Sequence, residues 1–262
     1  MGNQGFVRPL RRQRPAAARP AHYDRPAFYA LNLGSWRDYF TLLHPPYTLW
    51  HLSYVVLGAA LAPAVHYDRL GATLLAFFLA VGIAAHALDE LSGRPLRTAI
   101  PGRILWFLAV LSLAGTVALG IAGVLLASPW LLPFVAFGVF MVPAYNLEWF
   151  RGRFHSDLWF ALAGGVFPFL TAYWASAEEL EWSALAGAVA VFALSLAQRT
   201  LSSRVRILRR RTRSVHGTIT YDNGSTEEID GRALIGPDER ALMLLAVAVV
   251  ALSVAALLFR AQ

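Results

Sequence analysis

The sequence predicts an all-α protein: a polytopic membrane helical bundle of about seven transmembrane helices, with a small cytoplasmic β-hairpin between the sixth and seventh. Three observations predict it. Hydrophobic residues fill 57 % of the 262 positions and charged residues only 15 %, against about 25 % charged in soluble domains. The apolar residues fall into runs of about 20, the length a helix rising about 1.5 Å per residue needs to cross roughly 30 Å of hydrocarbon. The arginines gather at one set of run ends.

Residues 1–40 contain Arg8, Arg11, Arg12, Arg14, Arg19, Arg25 and Arg37 among prolines, without a continuous apolar stretch. This composition predicts a disordered basic cytoplasmic arm as far as about Arg25, then an interfacial approach around Trp36, Tyr39 and Phe40. Apolar runs follow near 46–65, 70–88, 103–125, 129–147, 157–176 and 182–200, a six-helix membrane core over 41–200. Peptide groups left unpaired in lipid are costly, so each run is expected to form a complete helix. Residues 201–240 are expected to be a cytoplasmic basic loop, and 241–262 the seventh transmembrane helix, near 241–259, with its tail.

Within that loop, Arg204, Arg206, Arg209, Arg210, Arg211 and Arg213 read as a solvated juxtamembrane cluster beside anionic lipid. The alternating segments Gly217–Tyr221 and Ser225–Ile229 flank Asn223-Gly224, a strong hairpin signal. With the amino terminus inside, the inner loops hold Arg94, Arg97, Arg103, Arg151, Arg153 and Arg199 through Arg240. The outer loops hold a single arginine, Arg69, with Glu178, Glu179 and Glu181. The positive-inside rule then places the protein in the cell membrane, amino terminus cytoplasmic and carboxyl terminus outside. Orientation and contact with membrane lipids account for the net charge of +7, so no nucleic-acid partner is required.

Two absences narrow the chemistry. There is no cysteine, which excludes disulfides, thiolate metal sites and thiol nucleophiles. All 23 basic residues are arginine, which excludes a lysine Schiff base of the seven-helix photoreceptor kind and any catalytic lysine. The seven histidines form no H-x-x-x-H pair of the kind a zinc-dependent membrane hydrolase needs. There is no D-G-x-x-A-R block of the CDP-alcohol phosphotransferases either. A transporter stays open, although no inverted repeat or broken helix pair is visible.

Two polar segments are candidates for a site. At the end of the second run, His86, Asp89 and Glu90 stand at i, i+3 and i+4 on one helix face, where they can converge on a cation or a charged headgroup. Solvated charges at a helix end are the plain alternative. Between the fourth and fifth runs, Tyr145, Asn146, Glu148, Arg151, Arg153, His155 and Asp157 crowd one membrane face. Here too a structural role is open: Glu148 pairing with Arg151 or Arg153, and Asp157 at the positive end of a helix. His51 is placed at a depth similar to His86, as a core residue or as part of a polar cavity.

Order and spacing over about residues 37–205 resemble the UbiA superfamily of intramembrane prenyltransferases. Leu43-His-Pro-Pro-Tyr-Thr-Leu-Trp50 and Leu57-Gly-Ala-Ala-Leu-Ala62 resemble that family's first helix. His86-x-x-Asp89-Glu90 followed by Arg94-Pro95-Leu96 looks like a shortened form of its N-D-x-x-D-x-x-x-D and R-P-L segments. Tyr145-Asn146, Phe150-Arg-Gly-Arg153 and the phenylalanine-rich, glycine-bearing stretch Leu158–Tyr173 are similar to the fourth and fifth helices of the quinone-synthesis branch.

The chain departs from the family after the sixth run. A second aspartate motif belongs there, and the chain has Ser195-Leu-Ala-Gln198-Arg199-Thr-Leu-Ser202-Ser203-Arg204. It also has seven runs where eight or nine helices are usual.

The resemblance implies a UbiA-like bundle that transfers a prenyl group from an isoprenyl diphosphate to a hydrophobic acceptor. Asp89 and Glu90 would hold Mg2+, and Arg94, Arg199 and Arg204 would face phosphate. His51, His86, Tyr145, Asn146, Arg151 and Gln198 would complete substrate binding, with Glu148, His155 and Asp157 as catalytic acid or base. With arginines in place of the second carboxylate motif, guanidinium forks still bind phosphate but supply less Lewis acidity than a second metal ion. The alternative is therefore a non-catalytic protein that binds a polyprenyl-phosphate or phospholipid headgroup, or a subunit of a membrane complex.

Overall fold

A computed structural model describes residues 25–31 and 34–262. The expected basic arm, up to residue 24, lies outside the described residues. A short helix α1 (Trp36–Leu42) leads into α2 (Pro45–Leu61). Six longer helices follow: α3 (Tyr67–Leu91), α4 (Gly102–Leu126), α5 (Pro129–Asn146), α6 (Asp157–Ala177), α7 (Trp182–Arg211) and α8 (Gly231–Arg260). Strands β1 (Gly217–Thr220) and β2 (Thr226–Ile229) lie between the last two.

The last six helices are long and apolar enough to cross a bilayer. Together they mark a membrane protein. Helix α2, which covers most of the first expected run, has 17 residues, about 26 Å of rise. It is the centre of the bundle. Its Trp50, Tyr54 and Leu57 pack with Phe169 and Tyr173 of α6, Val191 of α7, and Ala246 and Val249 of α8. Small residues allow this closeness. A side chain at Gly58 would run into the Phe169 carbonyl, and one at Gly187 into the Phe169 ring.

Starts and stops follow local chemistry. Pro45 opens α2, where its missing N–H is not needed. Ser156 caps α6 by accepting from the Trp159 N–H, and Asp230 caps α8 by accepting from Arg232 and Ala233. Two π-helical stretches interrupt the α pattern, Phe78–Ala85 inside α3 and Leu162–Val166 inside α6. In α1, Trp36, Tyr39 and Phe40 are exposed while Asp38 is buried, its carboxylate accepting from Gly34 N and Ala99 N. That disposition suits aromatic rings at headgroup level.

The expected loop 201–240 is largely helical. Helix α7 runs on to Arg211 and α8 begins at Gly231. Hydropathy marks where hydrocarbon ends, but backbone hydrogen bonding does not stop there. Beyond that point the two helices share a small core of Val205, Ile235 and Leu242. Arg209 grips Glu239 through both nitrogens of one edge, the Nη2–Oε2 arm at 2.8 Å, and Arg204 pairs with Asp238 at 3.4 Å. The arginine run is therefore divided: Arg209 is packed and paired and Arg206 and Arg210 are half-buried, while Arg204, Arg211 and Arg213 are exposed as a solvated cluster would have them. The hairpin forms as expected: Gly217 pairs with Ile229 and Thr220 with Thr226, with Gly224 at φ +81° in the turn.

The two ends of the bundle differ in content. One end, called the arginine end below, gathers residues 25–44, 86–101, 145–157 and 199–240. It is stitched by Ala99 N to Asp38, Arg209 to the Arg25 carbonyl and Arg210 to the Pro26 carbonyl. At the opposite end Arg69 binds Glu178 and the Ala175 carbonyl, and Arg260 donates to the Pro63 carbonyl.

Candidate functional site

A cavity of about 460 Å³ runs between α3, α4, α5 and α6. Its walls are apolar along most of their length: Ala80, Leu113, Phe134, Val135, Met141 and Phe167 are typical. Polar groups occur at its two ends. His51, His86, Tyr145 and Asn146 line it toward the arginine end, and Asp68 and Arg69 at the other. Both π stretches contribute to the wall. In one of them the Gly164 carbonyl accepts from His51 Nδ1, which satisfies a backbone acceptor that an ordinary α-helix would have used.

Beside His86 the cavity's polar end adjoins a packed cluster of polar and aromatic side chains, the arginine-end chamber. The His86 ring stacks on His44 with centroids 4.1 Å apart, and its Nδ1 donates to the Gly82 carbonyl. Tyr29 leans on His44 and stands edge-on to Tyr47. His155 stacks on Tyr145 at 4.6 Å and donates from Nδ1 to the Tyr145 carbonyl. Arg206 and Arg210, one turn apart on α7, are within electrostatic range of Tyr29, His44, Tyr47 and Asp89. Arg206 also acts on Tyr145. The roof is the segment 25–31, held by Arg209 and Arg210 on its carbonyls, by Leu31 N on Thr41, and by Ala27 and Ala30 against Leu96.

The chamber's electrostatics follow from burial. Burial, reinforced by the positive charges of Arg210 and Arg206 and by His86, lowers the His44 pKa well below the ordinary histidine range, so the ring is neutral at pH 7. Burial raises the Tyr29 phenol well above its ordinary value and keeps its proton on. Two buried polar atoms, Tyr145 Oη and His44 Nε2, have no hydrogen-bond partner among the described residues. Buried polar atoms without partners are uncommon in folded proteins.

Of the residues singled out from sequence, His51, His86, Tyr145 and Asn146 line the cavity, and Asp89 lies within electrostatic range of Arg210 and Arg206. The others have different occupations. Glu90 is fully buried and accepts from Leu96 N (2.9 Å), Thr98 N (2.8 Å) and Thr98 Oγ1 (2.8 Å), so it holds the 92–101 loop in shape. Arg94 is built into the same loop, donating to the carbonyls of Ile100 (2.6 Å) and Thr98 (3.4 Å).

Arg199 is neutralised by Asp157 at 2.8 Å and lies over the Phe160 ring at 5.2 Å. Arg204 points outward to Asp238. Glu148, Arg151 and Asp157 are exposed; Asp157 pairs with Arg199 and His155 stacks on Tyr145, and among the described residues no hydrogen bond or ion pair joins Glu148, His155 and Asp157. Gln198 is buried within α7, its Oε1 unpartnered among the described residues.

Asp89 and Glu90 consequently do not fit a shared magnesium site: both oxygens of Glu90 are committed to the loop. Among the described residues no group of three histidine or acidic side chains is placed to hold a metal ion.

Sequence reasoning placed Arg206 and Arg210 only in a juxtamembrane cluster, His44 and Tyr47 only in the first-helix resemblance, and gave Tyr29 no role. A signal for the arginines was present: positions 199, 206 and 210 share one helical face, provided the helix continues past 200. His44 stands directly before the Pro45-Pro46 helix start, half-buried at the bundle rim. No family model, curated protein or solved structure matches the chain.

Proposed function

We propose that this protein binds an anionic amphiphile, such as an isoprenyl or lipid phosphate, with its headgroup in the arginine-end chamber and its tail in the apolar cavity. The observation that carries this is the junction of the two spaces at Tyr145 and His86. Both residues line the greasy cavity, and each reaches the chamber, Tyr145 through the field of Arg206 and His86 through its stack on His44. About ten buried methylenes contribute about 8 kcal/mol, and a charge-assisted hydrogen bond to a guanidinium about 1.5–3 kcal/mol more. Tail burial thus supplies affinity and the arginines supply orientation.

The same reading counts α2 as a seventh crossing. It sets the arginine end in the cytoplasm and the carboxyl terminus outside, within a UbiA-like bundle.

The test is binding to the purified full chain. Dodecyl phosphate is expected to bind more tightly than dodecanol, which lacks the charge, and than inorganic phosphate, which lacks the tail. Arg206→Gln is expected to weaken dodecyl phosphate about 10- to 100-fold. Equal binding of dodecanol and dodecyl phosphate would overturn the reading. Prenyl transfer is a second reading, favoured by Asp89 beside the chamber arginines. It requires product formation from an isoprenyl diphosphate and a hydrophobic acceptor, lost in Asp89→Asn.

A further inference from the structure

The charge inventory of the chamber says more about the headgroup, granted the amphiphile reading above. Along α7, three arginines are accounted for: Arg199 by Asp157, Arg204 by Asp238 and Arg209 by Glu239. Arg206 and Arg210 have no carboxylate within ion-pair distance among the described residues. Among the described residues Arg206 donates to Ser203 Oγ and Arg210 to the Pro26 carbonyl, with no further side-chain hydrogen bond from either. One carboxylate, Asp89, lies in electrostatic range of both. The neighbouring Glu90 is sealed into its loop. Two guanidiniums without ion pairs thus lie in range of one carboxylate, which His155 also reaches, and the His44 ring beside them is neutral.

This balance suits one phosphate group. A phosphate diester carries about −1 and a monoester about −1.5 to −2 at neutral pH, and two guanidiniums acting as forks can hold the oxygens of either. A diphosphate brings at least one further negative charge. Proteins usually meet that charge with a divalent cation held between carboxylates and phosphate oxygens, and the pair of carboxylates is not formed here. Asp89 would instead repel the additional group. Tyr29 and Tyr47 stack edge-on across the roof, and the carbonyls of Arg25 and Pro26 engage Arg209 and Arg210 from above. Under that roof the Tyr145 hydroxyl is a free donor for a single tetrahedral group.

We infer that the headgroup is a single phosphate, ester-linked to the tail and bound without a divalent cation. Farnesyl monophosphate and farnesyl diphosphate share a tail and differ only in the feature at issue. Each is titrated into the purified full chain in detergent, once with EDTA and once with Mg2+, with inorganic phosphate as the arm lacking a tail.

The monophosphate is expected to bind about tenfold or more tightly than the diphosphate, with no response to EDTA. Asp89→Asn is expected to narrow that gap by strengthening the diphosphate. Tighter binding of the diphosphate, or binding of either ligand that needs Mg2+, would overturn the inference and leave the amphiphile reading intact. Failure of both ligands would overturn the amphiphile reading itself. Inorganic phosphate binding as tightly as farnesyl monophosphate would support the single-phosphate head and remove the tail from the cavity.

Discussion

The two ends of the bundle treat the same side chain in opposite ways. At the far end Arg69 is satisfied: Glu178 answers its charge at 3.2 Å and the Ala175 carbonyl takes a second donor at 2.9 Å. At the arginine end Arg206 is partly buried and, among the described residues, has a single side-chain partner, the Ser203 hydroxyl. A guanidinium tied to a carboxylate is part of the scaffold. One kept near a cavity without a carboxylate is stabilised most when an anion arrives. The difference teaches that arginine count locates an end of the protein, while counterion accounting locates a site.

The largest expected effect breaks the arginine end itself. Glu90→Ala removes the acceptor for three buried donors and is expected to cost about 3–5 kcal/mol of stability, read from denaturant or thermal unfolding in detergent. Glu90→Gln keeps one carbonyl acceptor and should lose less. Equal stability of Glu90→Ala and the parent would mean that the 92–101 loop is not held by this carboxylate.

Next in size is the contrast between the arginines. Arg206→Gln lowers amphiphile affinity as described, while stability stays level or rises because an uncompensated charge has been removed. Arg69→Gln is expected to do the reverse to stability, lowering it by about 1 kcal/mol or less, since its ion pair is partly exposed. If Arg206→Gln destabilises more than Arg69→Gln, the chamber cation has a structural partner and the comparison fails.

Acid provides a third handle. The His44 pKa is lowered on folding, so below the unfolded value of about 6.5 the unfolded chain takes up a proton that the folded chain refuses. The stability associated with neutral His44 is complete above that pH and is lost as pH falls from about 6.5 toward the folded pKa. A loss of about 1–2 kcal/mol between pH 7 and pH 5 is expected, with a shallower slope in His44→Asn. The smallest effect lies farthest from the site. Gly224→Ala forces a side chain into a positive-φ turn and should loosen hydrogen exchange across 217–229 by about 1 kcal/mol, with no change in the unfolding midpoint of the bundle.

The sequence disclosed the parts of this architecture that lipid and local backbone chemistry dictate. Six apolar runs coincide with long helices because hydrocarbon tolerates little else, and Asn223-Gly224 announced the hairpin. Helix ends beyond the membrane were not legible, since the continuation of α7 to Arg211 and the early start of α8 rest on contacts between the two helices, such as Val205 with Ile235. Within the site, His51, His86, Tyr145 and Asn146 could be placed by depth and helical face.

The choice among arginines could not. Whether Arg199 or Arg206 is available depends on Asp157, which is 42 positions away from the former in sequence, and Arg209 is taken by a residue 30 positions away. Adjacent Asp89 and Glu90 make the same point at the shortest range. One residue's rotation around the helix sends the first toward the chamber and the second into a loop.

The π-helical turns in the cavity wall set a register on which the shape of the whole compartment depends. Every residue of α6 beyond Leu162–Val166, including Phe167, Thr171 and Ala175 on the lining, takes its bearing from that wide turn. Excising a single residue there would swing all that follows by about 100°, turning a lining face into an outward one while leaving composition and hydropathy almost untouched. The compartment is thus vulnerable to a one-codon deletion in a way that most substitutions along its greasy walls are not.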